Sequence, residues 1–232
     1  KDLNAKGVID VYEEMRDFFP SYQYNHQGTV VAPKLENILN KFDALLLDAF
    51  GVLNVGPSIV PGIIETIDRA RDNGITLLVV TNGASYNSYK KRDQLSLMGL
   101  EFSNDEIISS REVAEIFLSF NKPEGPLGVM GNMGNDFIIP DLHCIELEQD
   151  FSMFDEVNSF ILLGTVEWDT VWQDMLFHSL NDKPRPLFAA NPDIVAPHEK
   201  RFSIEPAYFL SHLISKGIHL PFWFGKPFPT IF

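Results

Sequence analysis

Read for its pattern of apolar and polar positions, the chain alternates short apolar runs with segments of helical periodicity. Ala44 to Leu47 ends in three leucines and gives way at once to Asp48 and a turn at Gly51. An unbroken apolar run of this length, bounded by a turn, predicts a parallel strand buried on both faces. After Pro57 the pattern turns helical, with Pro61 placed as the first residue of a helix that runs to about Asn73 and stops at Gly74. Ile75 to Val80 is a second apolar run and ends in Thr81-Asn82-Gly83. Residues 85–98 then read as a helix with Tyr89, Leu95 and Met98 inward and Gly99 as its stop. Strand, helix, strand, helix in this order predicts a right-handed βαβ unit, with ligands at the C-terminal edge of its strands.

Upstream, Val8, Ile9, Val11, Tyr12, Met15, Phe18 and Phe19 recur at helical spacing across residues 7–19, and Pro20 ends the segment. A short strand at Thr29-Val30-Val31 and a helical lead from Asn37 to Phe42 complete an N-terminal extension expected to pack over the core. Downstream, the pattern gives a helix from Ser110 to Ser119, strands at Leu127–Gly131, His143–Leu147 and Phe160–Gly164, and a helix from Trp168 to Ser179 with Val171, Trp172, Met175 and Leu176 on one face. A strand from Pro186 to Ala190 ends in Asn191-Pro192-Asp193. This second αβ layer is long enough for a small lobe. A helix from Glu205 to Ser215 stops at Gly217, and the apolar stretch Leu220 to Phe224 ends in Gly225-Lys226-Pro227. The expected division is an extension of residues 1–40, an α/β core of residues 41–103 and 200–232, and an inserted lobe of residues 104–199.

Composition narrows the function classes. Of 232 residues, 32 are acidic and 18 basic, a formal charge of −14 that repels nucleic acid and anionic membrane surfaces. No apolar run approaches the ~20 residues that span a bilayer, and Lys1-Asp2-Leu3-Asn4 lacks the pattern of a secretory signal. Cys144 stands alone and no two histidines sit at i, i+4, which removes a disulfide framework and a helical zinc pair. The acidic residues Glu146, Glu148, Asp150, Asp155 and Glu156 read as a solvated face. A cytoplasmic location is expected. Trp168, Trp172 and Phe177 fit either the core of the second lobe or the contact of a homo-oligomer. The start at Lys1 and the stop at Ile231-Phe232, with no closing element, read as those of a fragment.

Three strands, all expected in the core sheet, thus end in Asp48, in Thr81-Asn82 and in Gly225-Lys226-Pro227. Alone, Asp48 is equally a nucleophile, a metal ligand or a helix cap. Together the three ends supply what phosphoryl transfer through a carboxylate requires: an attacking oxygen, a hydroxyl and N–H groups for the non-bridging oxygens, and a lysine to offset the charge.

Leu45 to Leu53 resembles the first motif of the haloacid dehalogenase-like (HAD) superfamily, Leu77 to Asn82 its second, and Lys226 its third. Gly51 to Gly56, Pro61-Gly62, Thr81 to Ser85, Asn191-Pro192-Asp193 and Phe224 to Pro227 are similar to class IIA of that superfamily, the nitrophenylphosphatase and N-acetylglucosamine-phosphate phosphatase type. The resemblance spans residues 42–230. It implies a Rossmann-like parallel-sheet core with an inserted α/β cap between the second and third motifs, and a Mg²⁺-dependent phosphatase acting on a small phosphorylated metabolite. By position it implies Asp48 as nucleophile and magnesium ligand, the Phe50 backbone carbonyl as a second ligand, Thr81, Asn82 and Gly83 around the phosphate, and Lys226 as the balancing charge. It implies Asn191 and Asp193 as substrate contacts from the cap; the alternative for that pair is an Asx-Pro turn.

The chain departs from the motif in one place that bears on chemistry. Phosphatases of the superfamily carry a second aspartate two residues after the nucleophile, as general acid and base. Here that place holds Phe50, and proton transfer of this kind contributes typically ~10²–10⁴ in rate. The fourth motif, a carboxylate pair that completes the metal site, is expected beyond Phe232. Three readings follow: a phosphatase of reduced activity, a phosphate-binding protein without turnover, and a dehalogenase-like hydrolase in which an aromatic residue at this place is usual.

Overall fold

The computed structural model describes residues 4–21, 31–131, 137–166, 168–198 and 201–232. In chain order its elements are α1 (Ala5–Glu14), β1 (Ala44–Leu47), the small hairpin β2 (Asn54–Val55) and β3 (Ser58–Ile59), α2 (Ile63–Asp72), β4 (Thr76–Thr81), α3 (Ser88–Leu97), β5 (Ile107–Ser109), α4 (Ser110–Phe120), β6 (Leu127–Met130), β7 (Cys144–Glu146), α5 (Phe151–Glu156), β8 (Ser159–Leu162), α6 (Thr170–Asp182), β9 (Leu187–Ala189), the hairpin β10 (Val195–Pro197) and β11 (Phe202–Ile204), α7 (Pro206–Ser215) and β12 (Phe222–Trp223).

Two parallel sheets carry the architecture. The first has the order β1-β4-β5, with Leu47 opposite Val79 and Thr81 opposite Ser109. Its core gathers Leu47, Leu77, Val79 and Ile107 with Ile63 and Ile67 of α2 and Leu95 of α3. The second has the order β12-β9-β8-β6-β7. One face buries Phe154, Phe160, Trp172 and Leu176, and the other packs Val129, Ile161 and Phe188 on Ala114 and Leu118 of α4. Both faces covered is the usual condition of a parallel sheet. The α/β class and the parallel sheets are as the pattern predicts.

Arg185 ties the second lobe together. Its guanidinium donates to the carbonyls of Phe154 at 2.7 Å, Val157 at 2.9 Å, Ser179 at 2.9 Å and Lys183 at 3.0 Å, and lies 4.7 Å from the Phe160 ring centroid. Trp168 stacks on the buried Trp172 at 6.0 Å. These aromatics, with the partly buried Phe177, pack in the core of the lobe.

Several expectations give way. β12 pairs with β9, so the strand that leads to Lys226 belongs to the second sheet and not to the core sheet. β5 pairs with β4, which carries the first sheet past residue 103. The first sheet thus runs to Ser109, and the second takes in β12. An apolar run states that a strand is buried but not which neighbour it takes. Leu46 is 54% exposed, because among the described residues β1 pairs with β4 alone and stands at an edge. Pro61 lies outside α2, whose N-cap is Gly62 at φ +82°. Tyr89 is exposed, since it and Leu95 lie six positions apart, about 240° around a helix, and Lys91 takes the inward place instead. α1 ends at Glu14, and its Val8, like Met15 just beyond it, is buried; Met15 packs with Ile194 and Ala207. Of the strand expected at 29–31, Thr29 and Val30 lie outside the described residues and Val31 is exposed coil. No described helix is long and apolar enough to cross a membrane.

Candidate active site

Segments from both sheets converge where β1 and β4 end. Asp48 follows β1 directly, and its Oδ1 accepts from the Ala49 N–H at 2.8 Å and from Lys226 Nζ at 2.6 Å. Lys226 Nζ also donates to the Val80 carbonyl at 2.6 Å. The ammonium is thus fixed by one bond to the end of β4 and one to the carboxylate. The Asp48 side chain is 46% exposed, and its Oδ2 has no partner among the described residues. One oxygen is held while the other faces the cleft.

Lys226 arrives from the second sheet through Gly225, at φ +100°. A Cβ there would stand 2.6 Å from Asn82 Oδ1 and 2.9 Å from both Pro192 Cδ and Ser110 Cβ, so glycine alone permits the approach. Asn82, 4% exposed, closes the junction. Its Oδ1 accepts from the Lys226 N–H at 2.7 Å, and its Nδ2 donates to the Lys226 carbonyl at 2.9 Å and to Asp193 Oδ1 at 2.8 Å. The Asn82 carbonyl accepts from Ser110 Oγ at 2.9 Å. The amide side chain is fully used in positioning, which leaves the backbone N–H as what Asn82 offers to a ligand. Thr81 Oγ1 accepts from the Gly83 N–H at 3.1 Å, so the hydroxyl proton is free to donate outward.

From the second lobe, Asn191 Oδ1 accepts from the Asp193 N–H at 2.8 Å, and Asn191 Nδ2 donates to Glu205 Oε2 at 3.1 Å. Glu205 Oε1 accepts from Ser203 Oγ at 2.6 Å. The Asx turn expected as the alternative is present, and both Asn191 and Asp193 also line the cleft. Burial raises the Asp193 carboxyl to about 6, against the lowering effects of the Asn82 hydrogen bond and of Lys226, with Asp48 adding to the rise. Burial also raises Glu205, opposed by its bond from Ser203 and reinforced by Asp193.

The Phe50 ring lines the same cleft, 6.3 Å from the His198 imidazole and 4.8 Å below Lys91 Nζ. Lys91 is 8% exposed; burial lowers its pKa and the charge of Asp48 opposes that. The cleft between the two lobes encloses about 690 Å³. Every site residue expected from the sequence borders it or reaches it: Asp48, Phe50, Thr81, Asn82, Gly83, Asn191 and Asp193 line it, and Lys226 enters through its bond to Asp48. Lys91, His198 and Glu205 were not singled out by sequence. A lysine four residues before Leu95, on the apolar side of α3, was the available signal. Among the described residues no three of His, Cys, Asp and Glu cluster as a metal cage. The hard oxygens at hand are Asp48 Oδ2 and the Phe50 carbonyl, which takes no hydrogen bond from the described residues.

Comparison with known proteins agrees with this geometry. The family profile of haloacid dehalogenase-like hydrolases matches residues 45–139. The acid sugar phosphatase of Staphylococcus epidermidis is 24% identical over 195 residues, 83% of this chain and 72% of that protein. Among solved structures, a possible sugar phosphatase of the HAD superfamily from Cytophaga hutchinsonii superposes with a TM-score of 0.74 at 24% identity, over 84% of this chain and 71% of that one. The glycerol phosphate phosphatase of Mycobacterium tuberculosis in complex with magnesium gives 0.66 at 18% identity, over 84% and 57%. At these identities the superpositions show a shared fold.

Proposed function

We propose that this chain, whose fold and motifs are those of the class IIA haloacid dehalogenase-like hydrolases, is a phosphatase that hydrolyses a small phosphorylated metabolite through an aspartyl phosphate on Asp48. The observation that carries this is the pair Asp48–Lys226, with Oδ1 held at 2.6 Å and Oδ2 without a partner among the described residues, on the cleft that Thr81 also lines. Oδ2 attacks phosphorus and the bond to the ester oxygen breaks. Water then attacks the acyl phosphate at phosphorus, which releases inorganic phosphate and restores the carboxylate. Lys226 offsets charge on the nucleophile, and the Thr81 hydroxyl and Asn82 N–H donate to non-bridging oxygens as charge builds there. Asn191 and Asp193 border the part of the cleft left for the leaving group. The names of the relatives favour a sugar or polyol phosphate in that place.

Mg²⁺ suits this oxygen-only set, since it is hard, prefers oxygen and keeps several waters. The Asp48 carboxylate and the Phe50 carbonyl would hold it, with Oδ2 kept for attack, and when bound it would neutralise phosphoryl charge. Phe50 cannot pass a proton to a departing alkoxide, so esters with good leaving groups are the favoured substrates. The test is release of p-nitrophenol from p-nitrophenyl phosphate with Mg²⁺, expected in the wild type and abolished in Asp48→Asn. Binding of inorganic phosphate without any release would support the second reading, a phosphate-binding protein, which the phenyl ring in the acid's place favours.

A further inference from the structure

Lys91 is a buried cation without a polar partner. It is 8% exposed, and it makes no hydrogen bond or ion pair with the described residues. Its place in α3 is one turn before Leu95, which is 1% exposed, so the backbone holds the side chain inward. The Phe50 ring supports the ammonium at 4.8 Å, a cation–π contact that desolvation strengthens. Gly83 supplies the remaining wall. The Cβ that Gly83 lacks would stand 3.8 Å from Lys91 Nζ and 3.4 Å from Thr81 Oγ1. The space left by that glycine is therefore flanked by a buried ammonium on one side and the outward-donating hydroxyl on the other, and it opens on the cleft that Asp48 lines. An ammonium largely withdrawn from bulk water, bonded to no described residue and facing the cleft gains from an anion placed in that space.

We propose that Lys91 is a second phosphate-binding cation, whose ammonium donates to a non-bridging oxygen in the space beside Gly83 while Lys226 stays committed to Asp48 and the Val80 carbonyl. The proposal rests on the reading of Thr81 to Gly83 as the phosphate site. It also gives Phe50 a positive role. An apolar ring at this place holds the ammonium without neutralising it, whereas a carboxylate would pair with it and remove it from the ligand.

The experiment is calorimetric titration of inorganic phosphate into the wild type, Lys91→Met, Lys91→Gln and Lys91→Arg, with p-nitrophenyl phosphate hydrolysis measured on the same samples. Loss of one charge-assisted hydrogen bond predicts that the Met and Gln variants bind phosphate at least ~10-fold more weakly, and that Arg stays within about threefold of the wild type. Without phosphate, Lys91→Met should melt at the same temperature as the wild type or higher, and phosphate should no longer raise it. Phosphate affinity in Lys91→Met and Lys91→Gln within twofold of wild type would overturn the proposal whatever the hydrolysis shows. Lys91-dependent binding without hydrolysis supports it and removes the phosphatase reading instead. A wild type that binds no phosphate overturns the proposal, and one that also fails to hydrolyse p-nitrophenyl phosphate overturns both readings.

Discussion

Asp193→Asn tests whether the carboxyl at the junction of the lobes is held at an energetic disadvantage. Burial carries this group from 3.8 to about 6 in the fold, so the folded chain keeps a proton that the unfolded chain releases. The sign follows directly: a raised folded pKa gives stability that is complete below the unfolded value and is lost as pH rises through the folded one. At 1.36 kcal/mol per pKa unit the whole effect is about 3 kcal/mol, of which about 1.5 is already lost at pH 5 and essentially all by pH 8. Asparagine keeps the oxygen that accepts from Asn82 Nδ2 and carries no charge at any of these pH values. The variant should therefore be more stable than wild type by an amount that grows with pH. For a chain of this size that is a rise in melting temperature of roughly 3–6 °C at pH 5 and roughly 6–12 °C at pH 8. Paired thermal melts of the two proteins across this range measure it; relief of Glu205 from the Asp193 charge acts in the same direction. A difference that is flat with pH, or that favours wild type at pH 8, would refute the account of Asp193.

Three further outcomes follow from the geometry. Phe50→Asp should raise turnover of alkyl phosphates more than of p-nitrophenyl phosphate, by less than the ~10²–10⁴ of an unhindered acid because Lys91 lies beside it; equal rates in a folded variant would show that proton transfer is not limiting. Arg185→Met should lower stability by about 3 kcal/mol or more, since four carbonyls of the second lobe lose their donor, read as a fall of roughly 6–12 °C in melting temperature. Gly225→Ala combines a left-handed backbone with a Cβ 2.6 Å from Asn82 Oδ1, so it should cost more than the roughly 1–2 kcal/mol of the backbone alone and lower kcat/KM for p-nitrophenyl phosphate as Lys226 is displaced.

What the sequence revealed and what it hid have distinct physical causes. β1, β4, β6, β8 and β9 were legible because each is an apolar run closed by a turn, a local signal. β5 was missed because Ile107-Ile108-Ser109 runs straight into α4, and three residues leave no period to read. The hairpin of β10 and β11 was missed for want of alternation: Val195, Ala196 and Pro197 are all apolar. The partner of β12 was misjudged because pairing is decided at long range. Among the site residues, Asp48, Thr81 and Lys226 were legible by type and by position at strand ends. Lys91 was not, because it stands between two further cations, Lys90 and Arg92. Only the approach of the Phe50 ring and Gly83 makes one of those three cations interior. The side chain of Asn82 likewise has its role from partners more than a hundred residues away.

The attachment of Lys226 to the second sheet has a consequence for how such a protein can be remodelled. The cation that touches the nucleophile follows the closing strand of the second sheet by three residues, and Asn82 grips it at both its amide and its carbonyl. A lobe transplanted from another protein would bring a different closing strand, and with it a different resting place for that charge. Exchange of the second lobe therefore has to keep residues 222–226 and their seat on Asn82 intact.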